Sequence, residues 1–212
     1  MKTDIDLDEL EKRAFKSTFE DGLWDMYLGL MLLPLMVWFV MVSVDDLPDV
    51  ANTIIAMSLL LLPLAGFWYG KKYVVAPRLG MATFSAARQK KRKKLSLVLS
   101  LSVLVTVLLV LMTGLMVFPI WENAPSWAFP VGLFSINIIV VFSLGAYYLD
   151  FPRAYLYGWF YAITVASTFW QMDRGMHIPI IGLILAGIMV GIGLVLFVRF
   201  WRSHPLLKER VS

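Results

Sequence analysis

Residues 71–118 read KKYVVAPRLGMATFSAARQKKRKK followed at once by LSLVLSLSVLVTVLLVLMTGLMVF, and the junction at Lys94-Leu95 decides the fold. The first part, Lys71–Lys94, holds nine of the chain's nineteen Lys and Arg residues and closes on Arg88-Gln89-Lys90-Lys91-Arg92-Lys93-Lys94. The second carries no charge over 24 residues, and about 20 apolar residues of helix suffice to cross roughly 30 Å of hydrocarbon. Lys and Arg accumulate in cytoplasmic loops, so a basic loop beside an apolar run marks the cytoplasmic side.

Outward from that junction the same pattern recurs. Apolar runs predict six transmembrane helices: Leu23–Val44, Val50–Gly70, Leu95–Phe118, Trp127–Leu149, Ala154–Trp170 and Ile178–Arg199. The chain is 59% apolar and 16% charged, against about 45–50% and 25% in soluble domains. With both termini inside, 18 of the 19 basic residues lie in cytoplasmic segments and only Arg174 lies outside. The fold expected is an all-α polytopic transmembrane bundle of six spans, N-in and C-in, in the cell (inner) membrane. Its divisions are a cytoplasmic segment 1–22, a membrane domain 23–199 with the basic loop 71–94, and a basic tail 200–212. Span five is short and flanked by charges; a re-entrant helix there would put the basic tail outside, against the charge rule.

The acidic character of residues 1–22 is unlike a secretory leader, so span one is expected to direct insertion. Asp6–Phe19 reads as a short amphipathic helix opened by an Asp6/Glu9 pair resembling a capping box. In the basic loop, Pro77-Arg78-Leu79-Gly80 between Tyr73–Val75 and Met81–Phe84 reads as a turn or hairpin. Ser85 then caps a helix running through the Lys/Arg cluster into span three. Asp21…Gly29 and Asp150…Gly158 open spans one and five at equal spacing, a faint trace of a repeat.

Two short motifs carry a resemblance. Glu20-Asp21-Gly22-Leu23-Trp24-Asp25 before an apolar span, and Pro77-Arg78-Leu79-Gly80 followed by Phe84-Ser85 and a basic run, resemble features of uncharacterised prokaryotic multi-pass membrane proteins. The resemblance covers about the first 95 residues. It implies a prokaryotic membrane setting and carries over no activity and no site residue.

Ionisable residues inside a membrane are functional candidates, because each is costly without a partner. Asp25 is the one such residue within a span, and Asp21 lies four residues earlier on the same helix face. One reading makes them an ion or proton site at the inner mouth of a path that continues past Asn137 in span four. The other pairs Asp25 with an interfacial cation among Lys71, Lys72, Arg153 and Arg199, and makes Asn137 an interhelical hydrogen-bonding group. Ser100, Ser102, Thr106 and Thr113 on span three, and Thr164, Ser167 and Thr168 on span five, complete the polar set. Pro34 and Pro63 are expected to bend spans one and two. Small residues Gly158, Ala162 and Ala166 on span five, with Gly187 and Gly191 on span six, point to a tight pair between those spans or to a homodimer. Interfacial belts account for most of the aromatic residues, with Tyr155, Tyr157, Trp159 and Tyr161 in excess.

Catalytic signatures are missing. There is no Cys, hence no thiol chemistry. His177 and His204 are placed at opposite membrane faces, so no shared metal is expected, nor any cofactor. Phosphate-binding and hydrolase motifs do not occur. Arg88, Lys90, Lys91, Arg92, Lys93 and Lys94 are the residues expected to bind anionic lipid headgroups, at about 1 kcal/mol each near the surface, or a partner protein. The acidic N-terminal segment is another candidate to dock on them. Nucleic acid is not expected, since no stacking or base-reading element accompanies the cluster. The function expected is that of a non-catalytic membrane protein with a basic, lipid- or partner-binding cytoplasmic face; the alternatives are a small transporter or channel lined by Asp25 and Asn137, then a membrane-embedded lipid enzyme.

Overall fold

The computed structural model describes residues 19–43, 49–79, 86–114, 127–176 and 178–204. The amphipathic segment 6–18, its docking on the basic cluster, Met81–Phe84 with the Ser85 cap, and the tail beyond 204 lie outside the described residues. Among the described residues the regular structure is entirely helical. Six long helices follow in order: α1 Leu23–Ser43, α2 Asp49–Tyr69, α3 Ala86–Gly114, α4 Ala128–Leu149, α5 Arg153–Asp173 and α6 Ile180–Ser203. Of these, α4 and α6 are long and apolar enough to cross a membrane. Large apolar side chains point outward on several helices: Leu62 of α2, Leu97 of α3 and Val195 of α6 are 68%, 67% and 69% exposed. Soluble monomers rarely present contiguous apolar patches beyond a few hundred Å².

Helix α2 does not give way to a turn. It continues as a π-helix, Gly70–Val75, and then as a short α segment, Ala76–Leu79. The turn or hairpin expected at Pro77–Gly80 is therefore corrected as far as Leu79. Pro77 lies inside this continuous stretch and cannot donate a bond back to the preceding turn, and the π widening lies directly before it. The π widening is closed by the Ala76 N–H donating to the Lys71 carbonyl. It swings Val75 into a buried cluster with Leu23 and Phe200.

The described chain forms two compact units. The first comprises α1 as far as Trp38, α2 with its extension, and α6 from Ala186 onward. Here α1 and α6 run antiparallel with their backbones in direct approach. Gly22, at φ +78°, lies against the Gly193 carbonyl and the Phe197 amide. A Cβ added at Gly29 would come 2.8 Å from Val190 Cγ2 and 3.0 Å from Met189 Cβ. Leu32, Met36 and Met189 are fully buried along this seam.

The second unit contains most of α3 together with α4 and α5. Helices α4 and α5 form a hairpin through Asp150, whose left-handed conformation (φ 52°) ends α4, and Phe151, whose N–H donates to the Ala146 carbonyl at 3.0 Å. A Cβ at Gly158 would come 2.7 Å from Phe142 Cβ, and the Ser135 hydroxyl donates to the Ala162 carbonyl at 3.5 Å. The small face of span five therefore meets span four, a correction to the expected pairing with span six. A Cβ at Gly187 or Gly191 would meet nothing within 4 Å. Gly29 and Gly158, the matched glycines of the faint repeat, both mark close helix approaches.

Candidate functional site

The charged cluster where α1 begins is built by local geometry. Asp21 precedes Gly22, whose carbonyl accepts the first helical bond of α1 from the Met26 N–H at 3.0 Å. The Asp21 Oδ1 accepts the Leu23 N–H at 3.1 Å, satisfying one of the amide groups a helix start leaves open. Its Oδ2 accepts from Lys71 Nζ at 2.5 Å, fifty residues away on the π extension of α2. Both carboxylate oxygens are thus engaged and the side chain is fully buried. Asp25, one turn further into α1, is also fully buried, and its charge acts on Lys71. A carboxylate in the first turn is favoured by the helix dipole.

Aromatic rings surround the pair. Trp24 and Phe67 lie 4.6 Å apart, Tyr27 and Phe67 4.8 Å, and the Lys71 ammonium stands 5.8 Å from the Phe67 ring. Burial pushes the Asp21 carboxyl up from its ordinary value, against the opposing pull of Lys71 and the Leu23 amide. Burial likewise pushes the Lys71 ammonium down, against the pull of Asp21 and Asp25. Desolvation outweighs attraction on both sides, as is usual for buried ion pairs. The arrangement acts as a tie between the start of α1 and the end of α2. It offers no unengaged oxygen on Asp21 to a ligand.

Other cations named from the sequence have aromatic or solvent surroundings. Lys72 lies 4.6 Å from the Trp68 ring and 5.3 Å from the Tyr73 ring. Arg153 stands 5.2 Å from the Phe151 ring, and Arg199 is exposed. The space between α1 and α2 is an apolar groove of about 390 Å³ lined by Tyr27, Leu30, Leu33, Leu62, Pro63 and Phe67 among others, and neither Asp21 nor Asp25 lines it.

Asn137 belongs to the second unit. Its amide nitrogen donates to Ser102 Oγ and Thr106 Oγ1, both at 3.3 Å, joining α4 to α3. This is the interhelical bonding the sequence offered as one of two readings. Asn137→Ala is expected to cost about 0.6–2 kcal/mol in detergent unfolding. A larger loss would show that more than these two contacts depends on it. On α5, Thr164, Thr168 and Gln171 form a buried polar stripe, with the Thr168 hydroxyl donating to the Thr164 carbonyl at 2.7 Å. Gln171 lay at the span's edge in the sequence and was not singled out; its i, i+4, i+7 spacing from Thr164 was the available signal.

The basic cluster is an unbroken part of α3. Among the described residues that helix covers Ala86–Gly114, so the stretch Ala86–Lys94 and the apolar residues after it are one continuous helix. Lys93 and Lys94 are exposed; the side chains of Arg88, Lys90, Lys91 and Arg92 lie outside the described residues. Arg78 has a different role from the rest of the loop. Its guanidinium donates to the Trp201 and His204 carbonyls at 3.1 and 3.0 Å and stacks 3.9 Å over the Trp201 ring, capping α6. Its spacing in the sequence gave no hint of that partner.

Comparison with protein-family models, with curated proteins and with solved structures finds no match for this chain.

Proposed function

We propose that the protein is a six-span membrane protein, N-in and C-in, whose basic cytoplasmic face binds anionic phospholipid headgroups. The observation that carries this reading is the continuity of α3, in which the basic cluster runs without a break into apolar helix, with Lys93 and Lys94 exposed. With the apolar part in hydrocarbon, the cluster would lie at headgroup height. Four to eight juxtamembrane cations there attract anionic lipid at about 1 kcal/mol each. The apolar outward faces, and the apolar helices α4 and α6, support the membrane setting. A non-catalytic role accords with a charged cluster whose Asp21 oxygens are both engaged internally. Transport past Asp25 and Asn137 is less favoured, since the groove beside α1 is apolar and Asn137 is engaged by two hydroxyls.

Spin-labelled lipids in reconstituted bilayers test the reading. Phosphatidylglycerol is expected to be enriched over phosphatidylcholine at the protein surface, less so at high salt. Replacing Lys90, Lys91, Lys93 and Lys94 with Gln should remove most of that enrichment. Enrichment unchanged by salt and by these substitutions would sink the reading.

A further inference from the structure

Near its end α6 carries a shallow groove of about 690 Å³ lined by Leu194, Val195, Val198, Arg199, Arg202 and Ser203. The i, i+4 pairs 194/198, 195/199 and 199/203 put these side chains on one stripe, apolar first and polar last. Ser203 lies nine positions after Leu194, about 13 Å along the helix axis. Arg199 and Arg202 are exposed, and among the described residues neither has an ion pair. A helix C-terminus ordinarily repels anions, because its last carbonyls are unpaired. Here Arg78 donates to the Trp201 and His204 carbonyls, which offsets that repulsion and leaves the two remaining guanidiniums available.

We propose that this stripe binds one anionic phospholipid, its phosphate held by Arg199 and Arg202 with the Ser203 hydroxyl, and an acyl chain along Leu194, Val195 and Val198. The inference rests on the membrane placement above, which sets the end of α6 at the cytoplasmic headgroup layer, and it assigns a lipid site distinct from the Arg88–Lys94 cluster. The geometry favours a membrane lipid over a soluble anion or a peptide. Guanidinium forks suit phosphate oxygens, and the apolar half of the stripe runs back toward the hydrocarbon, where only an acyl chain extends. A surface cluster recruits many lipids loosely. A stripe that matches both headgroup and chain retains one.

The test is native mass spectrometry of the full chain, purified in mild detergent and supplied with phosphatidylglycerol or phosphatidylcholine. One phosphatidylglycerol is expected to survive delipidation. Arg199→Gln with Arg202→Gln should lower its retention by about tenfold to thirtyfold, from the loss of two contacts of this kind. Arg199→Lys with Arg202→Lys should retain an intermediate share, since charge persists without the planar fork. Val195→Trp, which fills the groove and leaves both charges, should also release the lipid. Retention unaffected by the Gln pair, equal loss of phosphatidylcholine, or a site that opens only when residues 1–18 are removed would each overturn the proposal. Gln at Lys90, Lys91, Lys93 and Lys94 serves as the separating control: it should remove most of the bulk enrichment while this lipid stays bound.

Discussion

Asp21→Asn is expected to destabilise the protein by about 3 kcal/mol, the lower end of the loss on breaking a buried ion pair. Asn can still accept the Leu23 amide, so the substitution removes charge without removing the helix start. What remains is an ammonium in a largely apolar setting, beside Phe67 and with little access to water. Asp25 softens the cost, because its charge also acts on Lys71. Detergent unfolding of the wild type, the single variants and the double variant Asp21→Asn/Lys71→Met checks this directly. The double variant should regain most of the loss or exceed wild type, because burial opposes both charges more strongly than they attract each other. Additive losses would show that the two side chains do not act as a coupled pair.

The same pair has a pH signature. Asp21 has a raised pKa in the folded state, so its contribution to stability is fully present below the ordinary value and is lost as pH rises through the raised one. Lys71 has a lowered pKa, so its contribution is present above the ordinary lysine value and is lost as pH falls through the lowered one. Each charge holds the other toward its charged form, against the effect of burial. Lys71→Met removes that hold and leaves Asp21 buried alone. This variant should therefore be most stable in acid, where Asp21 is protonated, and should weaken as pH rises toward neutrality. Wild type should show a shallower dependence over the same range.

The helices were legible because a long uncharged, apolar run satisfies its backbone N–H and C=O groups within the segment by forming a helix. Uncharged runs of the required length consequently mark helix positions to within a few residues, as with Leu23–Val44 against α1. The continuous helix through the basic cluster was legible too, since nothing between Ala86 and Gly114 breaks it. The Pro77 region was not, because a proline ordinarily ends or breaks a helix, and the π widening just before it has no sequence signal. Lys71 stood among the candidate cations for Asp25; its ammonium bonds to Asp21, and the charge of Asp25 acts on it as well. Sequence places both residues at one membrane level but says nothing of azimuth around the helices. The same limit explains span five: its small residues announced a close approach, and only packing could say that Phe142 lies against Gly158.

Gly193→Ala is expected to cost about 3 kcal/mol, the upper end of ordinary overpacking. The added methyl would come 2.6 Å from the Met26 nitrogen and 2.8 Å from the Gly22 oxygen. Those two atoms are the donor and acceptor of the bond that opens α1, 3.0 Å long. Neither can swing aside as a side chain tip would, so relief requires α1 to leave α6 or to lose its first turn. Either movement displaces Asp21, whose carboxylate accepts the next amide, and so loosens the tie to Lys71. Gly191→Ala is the matched control on the same helix. A Cβ there meets nothing within 4 Å, and Ala favours helix over Gly by about 1 kcal/mol, so this variant should be neutral or slightly stabilised. Side-by-side unfolding in one detergent decides the matter: equal behaviour of the two variants would mean that the backbone approach of α1 and α6 does not organise this end of the protein. A selective loss at Gly193, accompanied by the altered pH dependence of an uncoupled Asp21, would show that helix contact and ion pair form one mechanical unit.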